Sequence, residues 1–222
     1  NVRKLFSEED LQKTLKLFRP LSYNQITEVA GFEIELFDAG HILGSAHIQF
    51  RTGDRRIVFS GDIGQRGTPI IRDPWYNWPD GADLVVVEST YGDRRHKELS
   101  STLDELCSIV NRAVDLPGII LIPAFAIGRT QELLYHFSRL MEEGRIPEIP
   151  VILDSPMAER VTAIYRRHRE CYDSETWEII ESGRLPLRPP YLREVASGEE
   201  SRGLARTKPP AVIIAGSGMC TG

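Results

Sequence analysis

No run of about 18 apolar residues occurs in this chain, so no segment reads as a membrane-spanning helix. Cysteine is scarce: Cys107, Cys171 and Cys220 are odd in number, far apart and without a CxxC pair. That excludes a disulfide scaffold and a thiolate zinc site, and makes a reducing, cytoplasmic setting the expectation. No basic and apolar leader opens the chain, which begins at Asn1 rather than Met. Neither GxGxxG nor GxxxxGKS/T follows any strand-like run, which disfavours a Rossmann-like nucleotide binder. Glycine (18) and proline (14) are too few among 222 residues for a low-complexity chain. Positive charge is also in deficit, 27 Lys and Arg against 32 Asp and Glu, for a net charge of −5. A strongly basic nucleic-acid protein is thereby excluded, but not a local groove, nor a site where a metal supplies the charge that phosphates need. What remains is an ordinary globular balance, 41% hydrophobic and 27% charged, long enough for one large domain or two modest ones.

The periodicity changes along the chain. Ser7-Glu8-Glu9-Asp10 predicts a helix start, with Leu11, Leu15 and Phe18 on one face and Pro20 as its stop. Phe32, Ile34 and Leu36 alternate with Glu33 and Glu35, and Ala46, Ile48 and Phe50 alternate again before the turn Thr52-Gly53-Asp54. Residues 24–62 therefore read as antiparallel strands and hairpins. Leu84-Val85-Val86-Val87 is a continuous apolar run, the pattern of a strand covered on both faces. Beyond it, strand-like runs at 119–122, 151–153 and 212–214 alternate with helical patterns, one with Leu103, Leu106, Cys107, Val110 and Val114 on one face, others near 129–143, 157–169 and 174–182. That alternation predicts a parallel sheet with crossover helices. Residues 183–209 show no clear period. The change near residue 95, at the polar stretch Gly92 to Lys97, predicts a boundary between residues 1–95 and 96–222.

Three polar clusters follow strand-like runs: Asp38-Ala39-Gly40-His41-Ile42-Leu43-Gly44-Ser45, Ser60-Gly61-Asp62-Ile63-Gly64 and Glu88-Ser89-Thr90-Tyr91-Gly92. Strand ends are where sites are built in layered α/β folds. One imidazole and two carboxylates at one edge suit a divalent metal, and the neighbouring glycines allow close backbone approach. Each cluster alone is more commonly a Gly-Asp turn or a hydrogen-bonded loop histidine, a His-Asp pair making a metal site in roughly one case in ten.

Taken in order, AGHILGSA, FSGDIG and VVVESTYGDRRH resemble the metallo-β-lactamase superfamily, and ESTYG resembles its β-CASP nucleic-acid-processing branch. Ile122 to Glu132, Leu153 to Ala158 and Ala215 to Met219 are similar to β-CASP segments, so the resemblance covers nearly the whole chain, closest to RNA endonucleases related to the cleavage and polyadenylation nuclease. It implies a partial αββα metallo-β-lactamase sandwich followed by a partial β-CASP domain. It further implies that His41 ligates one zinc, that Asp62 bridges two, and that Glu88 orients a catalytic histidine. On this reading two zinc ions clamp a phosphodiester and activate a hydroxide, making the complete protein a ribonuclease. RNA is the implied partner, a membrane is not, and homodimerisation stays open. The family's HxHxDH motif and its C-terminal histidine motifs are missing from the 222 residues. The expectation is therefore a central piece holding two of about seven ligands, inactive alone and without a stable dinuclear site. The alternatives are a non-catalytic RNA-binding or scaffold member of the family, and a DNA-processing β-CASP nuclease.

The turns at 125–129, 154–157 and 216–219 each follow a parallel-type strand, and the first two open helices. Amides at such positions bind anions. With the resemblance, Arg129, Ser155 and Ser217 become candidate substrate contacts, the plainer reading being a glycine that permits a tight turn. His47, His136 and the cluster Arg166 to Arg169 have ordinary structural readings, and the aromatic stretch Trp75 to Pro79 reads as edge packing or as base stacking.

Overall fold

The structure, a computed structural model, describes residues 4–78, 81–216, 218 and 219. It is a mixed α/β fold built on two sheets. The first has the strand order β1 (Thr27–Val29), β2 (Phe32–Asp38), β3 (Ala46–Thr52), β4 (Arg55–Phe59), β5 (Leu84–Val86). Neighbours among β1 to β4 are antiparallel, with Leu36 opposite Ile48 and Ile48 opposite Phe59. Thr52 and Arg55 pair across the turn at Gly53, whose φ of +56° suits a residue without a side chain. The last strand, β5, pairs parallel to β4.

One burial expectation is overturned at β5. A continuous apolar run implies cover on both faces, yet Leu84, Val85, Val86 and Val87 are 46–60% exposed. The strand forms, but it sits at the sheet edge and nothing among the described residues covers it. The first helix, α1 (Glu8–Leu15), shows the same split. Ser7 caps it through a reciprocal box with Asp10, yet Leu11, Leu15 and Phe18 stay exposed and no residue of the helix is buried. Periodicity marks the face a segment will bury, not whether the same chain supplies the surface that covers it.

The second sheet is wholly parallel, in the order β6 (Ile119–Pro123), β9 (Ala211–Ala215), β7 (Val151–Asp154), β8 (Leu192–Glu194). On one face α2 (Leu99–Asp115) and α3 (Arg129–Glu142) bury Cys107, Val110, Leu134, Phe137 and Leu140 against Val151, Leu153, Val212 and Ile214. On the other, Ile152 and Ile213 meet Val195 and Leu204 beside α6 (Gly198–Gly203). The helices α4 (Pro156–Arg167) and α5 (Ser174–Glu181) begin and end close to where the pattern places them. Residues 183–209 contain β8 and α6, elements too short for any period to reveal. Among the described residues, Cys107 and Cys171 are free thiols, and no helix is long and apolar enough to cross a membrane.

A short strap joins the sheets. Ile70 and Ile71 are buried among Tyr135, Tyr165, Tyr172, Ile179 and Leu187. Ile71 forms an antiparallel bridge with Tyr172, the Arg72 amide donates to Cys171 O (3.2 Å), and the Asp173 amide donates to Ile70 O (3.0 Å).

Candidate active site

The loops after β2 and β4 lie against each other. The Gly64 amide donates to Ala39 O at 2.8 Å. A Cβ on Gly64 would fall 1.7 Å from Gly40 O and 2.7 Å from His41 N, so this contact demands glycine. The loops that carry His41 and Asp62 are thereby held side by side, with both side chains exposed. Each loop is also fixed internally. Ser45 Oγ accepts the His41 amide (3.0 Å), Asp38 Oδ1 accepts the Gly40 amide (2.9 Å), and Tyr23 OH donates to Ser45 O (2.7 Å). Burial pushes the Asp38 carboxyl above its ordinary range, against the opposing pull of the Gly40 amide and the Arg72 guanidinium.

Glu88 joins this pair. Its carboxylate accepts the amide of Ile63, the residue after Asp62, and its own amide donates to Ser60 Oγ at 3.0 Å. The Ser60 amide donates to Val86 O (2.9 Å), so β5 positions Glu88 through the ladder it shares with β4. Behind them His47 is buried and its Nδ1–H donates to Ser60 O at 2.7 Å. The alternation around His47 leaves its side undecided; the structure puts it inside, bracing the Asp62 loop.

The second sheet reaches the same loops. A Cβ on Gly128 would lie 2.9 Å from Ile42 Cγ2, which sets the start of α3 against the residue after His41. Tyr165 OH, on α4, accepts the Leu43 amide at 3.0 Å. Burial raises the Tyr165 pKa, with the Leu43 amide pulling the other way. Of the candidate substrate contacts, Arg129 is at the first turn of α3 and is ion-paired to Glu132 (2.6 Å) while largely exposed. Ser155 caps α4, its Oγ accepting the Ala158 amide at 3.2 Å. Gly216 packs against that hydroxyl, where a Cβ would lie 2.9 Å from Ser155 Oγ, and a Cβ on Gly218 would lie 2.9 Å from Phe125 N. The three turns thus sit together at the C-terminal ends of β6, β9 and β7. Ser217, the third candidate, lies outside the described residues.

Residues 130–222 match the Beta-Casp domain model. The chain is 38% identical over 218 residues to Ribonuclease TTHA0252 of Thermus thermophilus, covering 98% of this chain and 49% of that protein. It is 35% identical over 216 residues to Transcription termination factor FttA of Methanosarcina mazei, covering 95% of this chain and 34% of that protein. The matched segment and these relatives support the β-CASP branch of the metallo-β-lactamase superfamily. A third relative, the RNase J-like protein of Methanocaldococcus jannaschii, is 30% identical over 227 residues, covering 100% of this chain and 51% of that protein. The chain spans between about a third and a half of the length of these relatives.

The donor types suit zinc: an imidazole from His41 and a carboxylate from Asp62 on adjoining loops. The donor number is not. Among the described residues no three His, Cys, Asp or Glu side chains form a group able to hold a metal ion. Four-coordinate zinc needs at least three protein donors, so the described residues do not amount to a metal site. Tyr165 escaped the sequence reading because its partner lies 122 residues away, and no local pattern marks such a pair.

Proposed function

We propose that this chain is the central part of a zinc-dependent β-CASP ribonuclease, with residues 1–95 in its metallo-β-lactamase domain and 96–222 in its β-CASP domain. The observation that carries this is the packing of Gly64 onto Gly40, which holds the His41 and Asp62 loops together at a rim that Glu88 and the start of α3, with Arg129, also approach. His41 and Asp62 are the proposed zinc ligands, with the remaining donors drawn from polypeptide beyond these 222 residues. Glu88 acts by fixing the backbone next to Asp62 and by orienting a histidine supplied from that additional polypeptide. Arg129, Ser155 and Ser217 are the proposed phosphate contacts. Arg129 can leave Glu132 for a phosphate at little cost, because an exposed ion pair contributes only about 0–1 kcal/mol. Ser155 Oγ accepts the cap bond, which leaves its O–H to donate. The cytoplasm is the proposed location, in keeping with the scarce, unpaired thiols. The names of the relatives, a ribonuclease and a transcription termination factor, favour RNA as substrate.

The test uses the complete protein. We expect stoichiometric zinc and cleavage of single-stranded RNA in preference to DNA of matched sequence. Asp62→Ala should lose zinc, and Glu88→Gln should retain it while losing about 10–100-fold in rate. RNA binding without cleavage would favour the scaffold alternative, and cleavage of DNA alone would favour the DNA-processing one.

A further inference from the structure

Four residues beyond Asp62, the Arg66 guanidinium lies over the Tyr76 ring, 4.8 Å from its centroid. Both residues are exposed, Tyr76 by 45%. Arginines such as Arg55, Arg129 and Arg145 are held by carboxylates, whereas Arg66 has no ion-pair partner among the described residues. In a chain of net charge −5, an uncompensated cation on an aromatic face beside the site is a specific feature.

The pair is rigidly mounted. Pro74 abuts Gly40, where a Cβ would lie 2.5 Å from Pro74 N, and the Trp75 amide donates to Asp38 O at 2.9 Å. Trp75 stacks on Phe37 with centroids 5.7 Å apart and 17° between planes, and Trp78 meets Phe37 and His47 edge-on. The two tryptophans of the aromatic stretch therefore pack, leaving Tyr76 as the ring that partners a cation. At the other end the Gly67 amide donates to Asp73 Oδ1 (2.8 Å), closing the loop between Arg66 and Tyr76. Four residues reach at most about 14 Å, so Arg66 stands close to Asp62.

We propose that Arg66 and Tyr76 form a nucleotide subsite for single-stranded RNA beside the cleavage position, the guanidinium taking a phosphate and the cation–ring stack receiving a base. The proposal rests on the ribonuclease reading and adds to it a place where the strand is gripped. Bases stack on aromatic rings and on guanidinium planes alike, and a cation already seated on the ring costs little further ordering. Among the described residues no hydrogen bond or ion pair joins Arg66 or Tyr76 to the proposed zinc ligands, so the subsite affects how RNA is held and not how the phosphodiester is attacked.

The test measures kcat and KM of the complete protein on a single-stranded RNA and on the same RNA with abasic nucleotides flanking the cleaved bond. Tyr76→Ala should raise KM on the intact RNA by at least about fivefold with kcat nearly unchanged. It should have little effect on the abasic RNA, and Tyr76→Phe should restore the intact-RNA value. Arg66→Ala should flatten the dependence of log binding constant on log salt by about 0.7, one phosphate for a single strand. Wild-type KM for Tyr76→Ala on intact RNA, or an equal loss on both RNAs, would overturn the subsite while leaving the nuclease reading in place. A wild-type protein that cleaves neither RNA would overturn both.

Discussion

Two glycines of this chain differ in what surrounds them, and that separates steric demand from conformational preference. A side chain at Gly64 meets the Gly40 carbonyl, which is backbone and cannot rotate away, whereas Gly53 has open space around it and only its φ of +56° to protect. Gly64→Ala should cost at least ~3 kcal/mol or displace the His41 loop, against about 1 kcal/mol for Gly53→Ala. Urea unfolding of the two variants side by side measures the difference. A second residue-scale expectation concerns pH. Burial, reinforced by the Arg129 cation, pulls the His136 imidazole from its ordinary 6.5 down to about 4. The unfolded chain then binds a proton at this residue that the folded chain refuses between pH 6.5 and 4. Stability should be full above that window and fall as pH drops through it, by about 3 kcal/mol from this group. The difference in melting temperature between wild type and His136→Gln, followed from pH 7 to 4, isolates that share. The placement of His41, Asp62 and Glu88 in loops that follow strands was legible in the sequence because a short polar cluster after a strand is local information. Arg66 and Tyr76 were not read as a pair, because a guanidinium over a ring ten residues on is decided by how the intervening loop folds.

At the scale of elements, the hairpins of β1 to β4 and the alternation from α2 to α4 followed from periods of two and 3.6, which act within a few residues. Burial of α1 and β5 did not follow, because it depends on surfaces a period does not describe. The helix α4 links the two levels. Its Ser155 end belongs to the rim of turns, and its Tyr165 hydroxyl holds the loop that carries His41. Tyr165→Phe keeps the ring packed among Ile70, Ile71 and Tyr172 and removes only the acceptor. We expect a loss of about 1 kcal/mol in global stability and faster hydrogen exchange at the Leu43 amide. Unchanged exchange at Leu43 would mean that the loop holds its shape without α4.

For the molecule as a whole, the exposed aliphatic surfaces lie at the outer strands of both sheets: Leu84 to Val87 on the first, and Ile119 and Leu121 on the second, 41% and 66% exposed. Those are the margins where further polypeptide would add, in keeping with a chain that matches only part of its relatives. The two sheets are meanwhile fastened to one another by the strap at 70–72, together with the loop at Ile42 and Leu43. The strap's amides and carbonyls pair with residues 171–173, while the covalent path runs separately through the polar residues between β5 and α2. A protease nick placed in that polar segment should therefore give two pieces that elute together under native conditions and part only in denaturant. The covalent crossing could be opened, lengthened or rerouted and the halves would still find their alignment, because the grip that sets it is carried elsewhere, by Ile70 to Arg72 and by the loop at Ile42 and Leu43.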